Sequence, residues 1–107
     1  MPTHSDLKRE AQRITSRIAL KYRPERVVLF GSLANGSEHP NDIDLLVIKE
    51  TQERKIKRAQ NLYRSLDWSC PLDIVVRTPQ EVNEGLAQKN PFYVNALKGE
   101  VLYDANH

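Results

Sequence analysis

The chain has 107 residues, of which 39% are hydrophobic and 28% charged, as in an ordinary globular protein, and we expect one domain over residues 1–107. A formal net charge of +2 is too small to indicate nucleic acid as a direct ligand. The single cysteine excludes an internal disulfide, and the three histidines have no zinc-ligand spacing with it. The sequence has neither a long apolar run nor a signal-peptide core, so we expect a cytoplasmic protein that contacts no membrane.

The first half of the chain predicts a helix, two strands and a short helical turn. The helix runs from Ser5 to about Lys21, because apolar residues recur every three or four positions, at Leu7, Ala11, Ile14 and Ile18. Residues 26–30 are β-branched or apolar after the initial arginine and precede Gly31, which predicts a buried strand and a sharp turn. One helical turn follows over residues 32–35, and the apolar run Ile43–Ile48 predicts a central strand.

The second half predicts three helices and two strands. A basic amphipathic helix spans Thr51–Leu66, with an apolar stripe of Ile56, Ala59, Leu62 or Tyr63, and Leu66. Its basic cluster of Arg54, Lys55, Lys57 and Arg58 is interpreted as a solvated face. A strand over Leu72–Arg77, helices starting at Thr78 and Asn90, and a short strand over residues 100–103 follow. Helices that alternate with strands indicate an α/β fold.

Two aspartates stand together at the start of the central strand. Asp42 and Asp44 point to the same side, because residues two apart on a strand share a face. Their charges repel at the edge of an apolar sheet unless a cation lies between them. Oxygen ligands favour Mg²⁺, and Asp73 on another strand can join the same cluster. We therefore predict Asp42, Asp44 and Asp73 as metal ligands; taken without the other motifs, Asp42 could equally end a loop and Asp44 lie on the surface.

Gly31 and Ser32 predict a phosphate-binding turn. A glycine directly after a strand lets backbone N–H groups approach a phosphate, and a hydroxyl begins the following helical turn. Carboxylates alone repel a triphosphate, but carboxylates beside phosphate donors are typical of a site in which two metal ions bridge to a nucleotide. Lys49 and Arg77 are excluded as phosphate ligands because each lies four or five residues along a strand from its aspartate.

Gly31-Ser32, then nine residues, Asp42-Ile-Asp44 and a later Leu-Asp73-Ile resemble the motifs of the DNA polymerase β nucleotidyltransferase superfamily. The nearest branch is the minimal nucleotidyltransferase (MNT) antitoxins encoded beside HEPN-domain ribonuclease toxins. The resemblance implies a nucleotidyltransferase fold, a mixed β-sheet packed with α-helices. It implies catalysis by Asp42, Asp44 and Asp73 with two Mg²⁺ ions, and nucleotide binding by Gly31 and Ser32. Asn35 stands where the family often has arginine, and Asn41 where it often has serine.

The same resemblance implies a reaction and a partner. Aminoglycoside-modifying relatives carry an additional helical domain that this chain lacks, so we expect another protein to supply the acceptor. In the antitoxin branch, AMP passes from ATP to a tyrosine hydroxyl of the HEPN toxin. The alternative hypothesis is an antitoxin that masks its partner, with a weak or vestigial nucleotide site. Transfer to an RNA end or a small molecule is disfavoured by the missing acceptor domain, and a homo-oligomer stays open.

Overall fold

A four-stranded mixed sheet is the framework of the protein, in a computed structural model that describes residues 3–36 and 42–106. The strands are β1 (Arg26–Phe30), β2 (Ile43–Ile48), β3 (Leu72–Arg77) and β4 (Glu100–Asp104), in the order β3-β2-β1-β4. Strand β1 is antiparallel to both β2 and β4, whereas β2 and β3 are parallel. The α/β fold with a mixed sheet is therefore confirmed, and β1, β2 and β3 have the predicted bounds.

Five helices accompany the sheet within the described residues: α1 (His4–Tyr22), α2 (Gly31–Ala34), α3 (Lys55–Arg64), α4 (Pro79–Ala87) and α5 (Pro91–Ala96). Helix α1 begins one residue before the predicted start, because the hydroxyl of Thr3 accepts a hydrogen bond from the N–H of Asp6. Thr78 caps α4 as predicted, with Glu81 completing the capping box. None of these helices is both long and apolar enough to cross a membrane.

The two faces of the sheet are covered by different helices. One face packs against α1, α2 and α3, and the other against α4 and α5. The central strand β2 is buried on both faces from Leu45 onward, which explains its uninterrupted apolar sequence. Within β2, only Asp44 is partly exposed. The sheet therefore presents Asp44 and Asp73 at the end where β2 and β3 begin.

Helix α3 differs from the prediction. It spans Lys55–Arg64 rather than Thr51–Leu66, and no side chain caps its N-terminus. Ile56, assigned to the apolar stripe, is 68% exposed, whereas Arg58, assigned to the solvated face, is only 5% exposed. The helix is thus rotated so that Arg58 and Leu62, one turn apart, face the protein. Both assignments were wrong because the burial of Arg58 depends on a partner from a distant part of the chain.

That partner is Glu81 at the start of α4. The Nη1 atom of Arg58 lies 2.7 Å from Oε1 of Glu81, and its Nε donates to the carbonyl of Glu53 at 2.8 Å. The same Glu81 oxygen accepts the N–H of Thr78 at 2.8 Å. Burial alone would raise the pKa of Glu81, but the bonds from Arg58 and Thr78 lower it below its ordinary value. One ion pair therefore joins α3 to the capping box of α4.

Candidate active site

The predicted aspartates lie on adjacent strands. Asp44 of β2 is the register partner of Asp73 in β3, and on its other side it is paired with Phe30 of β1. Register partners of neighbouring strands project from the same face of a sheet, with their backbones about 4.8 Å apart. Asp42 precedes Asp44 by two residues and so shares its side. The fold thus brings three carboxylates from two strands to one edge.

The register that aligns Asp44 with Asp73 is determined next to them. The N–H of Ile43 donates to the carbonyl of Pro71 at 3.0 Å, and this bond begins the parallel ladder of β2 and β3. Ile43 is completely buried, so its side chain anchors the start of β2 in the core. A slip of one residue would expose Ile43 and turn Asp44 into the core, which the free energy of burial opposes. The buried isoleucine therefore keeps the aspartates at the surface.

This arrangement disfavours the ionised form of Asp44. Partial burial first, and then the negative charges of Asp42 and Asp73, together raise the pKa of Asp44 from 3.8 to about 6. No ion pair in the described part of the chain involves any of the three aspartates. A cation from outside the protein would relieve the repulsion.

Gly31 lies against Asp44, where β1 passes into α2. Its φ of +77° is a conformation that side chains disfavour. A Cβ atom at this position would overlap Oδ2 of Asp44 and lie 3.1 Å from its Cγ. Glycine thus allows the backbone to pass directly beside the carboxylate. The first N–H groups of α2, at Gly31 and Ser32, have no acceptor within the helix.

The donor set fits a hard divalent cation, although it is incomplete by itself. Three carboxylates offer only oxygen, which suits Mg²⁺ or Mn²⁺. In residues 3–36 and 42–106, however, no group of three His, Cys, Asp or Glu side chains is gathered closely enough to hold a metal ion. Proteins commonly bind Mg²⁺ through one or two carboxylates plus substrate phosphates. Asp42, Asp44 and Asp73 could hold the cation together with a nucleotide, and their assignment stays a prediction.

This chain has relatives among known proteins. Residues 12–107 match the family model described as polymerase beta, nucleotidyltransferase. The chain belongs to the polymerase beta nucleotidyltransferase family. A crystal structure of a candidate nucleotidyltransferase from Sulfolobus solfataricus has a similar fold, with a TM-score of 0.63, 22% identity, and coverage of 76% of this chain and 75% of that one. No protein of curated function matches the chain. The nucleotidyltransferase fold is thereby confirmed, and nucleotidyl transfer is the general reaction of the family.

The remaining polar residues considered in the sequence are distributed as follows in this nucleotidyltransferase. Asn35 is exposed at the C-terminus of α2, where its N–H donates to the carbonyl of Gly31 at 3.1 Å. Asn41 lies outside the described residues.

The two cations that the sequence excluded as phosphate ligands lie away from the aspartates. Lys49 contacts the carbonyl of Arg23 and the ring of Tyr22, beyond the opposite end of β2 from Asp44. Arg77, at the last position of β3, donates to the hydroxyl of Tyr93. Neither cation belongs to the aspartate cluster.

One residue near the cluster was missed. The hydroxyl of Tyr63 in α3 donates to the carbonyl of Leu72 at 3.0 Å and accepts the N–H of Ile74 at 2.7 Å. Burial and the charges of Asp73 and Asp44 raise the pKa of Tyr63, although the bond from Ile74 opposes this. The periodicity of α3 allowed either Leu62 or Tyr63 to face inward. It carried no signal that the hydroxyl would meet the backbone on both sides of Asp73.

Proposed function

We propose that the protein transfers a nucleoside monophosphate, AMP from ATP, to a hydroxyl group and releases pyrophosphate. The observation that carries the proposal is the position of Asp44, which is the register partner of Asp73, follows Asp42 by two residues and lies against Gly31. Carboxylates and a turn open to phosphate occur together at this edge of the sheet. Neither feature alone distinguishes a nucleotide site from an ordinary strand end, but a triphosphate with its cation uses both.

Each residue has a defined part in the proposed reaction. The backbone N–H groups at Gly31 and Ser32 bind phosphate oxygens of the nucleotide. Asp42 and Asp44 would hold Mg²⁺ ions, whose charge would neutralise the triphosphate and the leaving pyrophosphate. The acceptor oxygen bonds to the α-phosphorus, the bond from that phosphorus to the bridging oxygen breaks, and pyrophosphate leaves with the electron pair. Asp73 would accept the proton of the acceptor hydroxyl or pass it to water, and it would also help to hold one of the cations.

For the acceptor we propose a tyrosine of a HEPN-type ribonuclease toxin, so that the protein acts as an antitoxin by AMP transfer. This part rests on the likeness of the motifs around Gly31, Asp42 and Asp73 to the MNT branch. Loss of the ribonuclease activity would follow if the modified tyrosine lies in the toxin's own site. The bulky, charged AMP group would then block RNA.

A second candidate function is an antitoxin that masks its partner without chemistry. It is favoured by one observation, that the side chains of the described ranges provide no ready-made metal site of three residues. In the absence of substrate, a weak or vestigial nucleotide site would have the same structure as an active one. The two candidates differ in whether the carboxylates are needed for neutralisation.

The experiment incubates the protein, Mg²⁺ and a HEPN-type toxin with ATP labelled at either the α- or the γ-phosphate. Transfer of AMP predicts label on the toxin from α-labelled ATP only, and none with the double variant Asp42→Asn, Asp44→Asn. Asp67→Asn, an exposed aspartate outside the cluster, is the matched control and should retain full labelling. If the double variant neutralises the toxin without any label, masking is correct and the catalytic proposal fails.

A further inference from the structure

Tyr63 makes two backbone contacts with β3 that bracket Asp73. Its hydroxyl donates to the carbonyl of Leu72 at 3.0 Å and accepts from the N–H of Ile74 at 2.7 Å. These are the residues directly before and after the aspartate. The hydroxyl oxygen of Tyr63 is therefore hydrogen-bonded to both peptide groups that flank Asp73. These two groups determine the direction in which the Asp73 side chain projects from the strand.

The position of β3 in the sheet explains why such contacts are needed. Within the described residues, β3 is an edge strand with β2 as its neighbour on one side. The backbone groups on the other side of an edge strand have no ladder partner and are free to move or bind water. At Leu72 and Ile74 the Tyr63 hydroxyl makes the hydrogen bonds that a further strand would otherwise make. This local restraint acts at Asp73, the one aspartate of the cluster that lies on the edge strand.

We infer that Tyr63 is a positioning residue for Asp73, and that its hydroxyl holds this carboxylate in place for the cation and nucleotide. The inference rests on the proposed function of the aspartate cluster. Groups that orient a metal-binding side chain from behind affect metal affinity or activity by about 10-fold or more when they are removed. The ring of Tyr63 has a separate role, since it packs against Trp68 with ring centroids 5.4 Å apart.

The chain offers controls for both parts of the tyrosine. Tyr63→Phe removes the hydroxyl and keeps the ring. Tyr22→Phe removes a buried hydroxyl that has no hydrogen-bond partner in the described structure. The ring of Tyr22 lies beneath Lys49, at the other end of β2. Trp68→Leu disturbs the ring packing of Tyr63 while its hydroxyl remains. These three variants separate loss of the two hydrogen bonds from loss of packing.

The test measures binding of Mn²⁺ in the presence of a non-hydrolysable ATP analogue, together with amide exchange of Ile74. We expect Ile74 to be protected in the wild type and to exchange faster in Tyr63→Phe. Affinity for Mn²⁺ should fall by about tenfold in Tyr63→Phe, and less than twofold in Tyr22→Phe and Trp68→Leu. In an Asp73→Asn background, Tyr63→Phe should have no further effect, because it acts through Asp73.

Unchanged affinity for Mn²⁺ in Tyr63→Phe would overturn the inference, and so would three further results. The first is an unprotected Ile74 amide in the wild type, which needs no variant to observe. The second is an equal loss of Mn²⁺ affinity in Trp68→Leu and Tyr63→Phe at similar melting temperatures. The third is a tenfold effect of Tyr63→Phe that persists without Asp73. If the wild type binds no Mn²⁺ with nucleotide, the proposed function itself fails, and this outcome is distinct from binding that Tyr63→Phe leaves unchanged.

Discussion

Gly31 lies so close to Asp44 that any side chain at position 31 would overlap the carboxylate. The backbone of Gly31 has a φ of +77°, and a Cβ atom there would collide with Oδ2 of Asp44. The turn that follows β1 therefore passes so close to the start of β2 that only glycine can occupy position 31 without displacing Asp44. The carboxylate that we propose as a cation ligand therefore lies directly against backbone that can approach a phosphate.

Gly31→Ala should abolish nucleotide binding while the protein still folds with reduced stability. The substitution combines a strained φ with displacement of Asp44, and we expect a loss of about 2 to 3 kcal/mol in the free energy of unfolding. Gly36→Ala is the matched control, since Gly36 has a φ of +74° but nothing within 4 Å of a Cβ atom. It should lose about 1 kcal/mol and keep its affinity. Equal effects of both changes on affinity, measured by calorimetry, would contradict the role of Gly31.

Asp44→Asn should stabilise the metal-free protein at pH 7.5 and leave it unchanged near pH 3.5. Burial first, and then Asp42 and Asp73, raise the pKa of Asp44 to about 6 in the folded state, against 3.8 unfolded. Between these values the native state binds more protons, so the contribution of Asp44 to stability falls as pH rises. Because Asp44 is partly exposed, solvent screening reduces the gain at pH 7.5 to about 1 kcal/mol.

Urea unfolding in EDTA across this pH range measures the effect of Asp44→Asn. Asp67→Asn controls for the removal of one surface charge. A variant that is destabilised at pH 7.5 would show that Asp44 makes favourable contacts that outweigh its desolvation and the repulsion from Asp42.

Mn²⁺ together with a non-hydrolysable ATP analogue should raise the melting temperature of the wild type. At a ligand concentration one hundred times the Kd, binding stabilises the folded state by about 2.7 kcal/mol, which shifts the melting temperature by roughly 10 to 20 °C in a domain of this size. Affinity should increase from pH 5 to pH 7, because Asp44, with a pKa of about 6, must lose its proton to bind a cation. The shift should vanish in Asp42→Asn and Asp44→Asn. A shift that survives in both variants would place the cation elsewhere.

Glu81→Gln should destabilise the protein by about 2 to 3 kcal/mol, because it leaves the buried charge of Arg58 without its partner. Glu10→Gln removes the partner of Arg13, an arginine with a side chain 44% exposed, and should cost less than about 1 kcal/mol. Thermal unfolding of both variants checks the difference. Comparable losses would mean that the Arg58 pair is as well solvated as the surface pair.

Much of the fold could be predicted because local patterns and burial agree. The strand bounds at Arg26–Phe30 and Ile43–Ile48 follow from largely apolar runs, the first ending before Gly31 and the second lying between Asp42 and Lys49. The start of α4 follows from a capping box with proline in the first turn. Helix α3 was the exception, since its inward face is decided by the pairing of Arg58 with Glu81, which are 23 positions apart. No periodicity within a helix contains that information.

The sequence by itself determined the elements, the spacing of Gly31, Ser32, Asp42 and Asp44, and the family to which that spacing points. These depend on neighbours a few residues away along the chain. Only the tertiary structure decided that Asp73 stands beside Asp44 and that the Tyr63 hydroxyl holds the backbone around it. Both depend on the parallel pairing of β2 with β3 and on the packing of α3. Such contacts join distant segments, and they exist only once the core has closed.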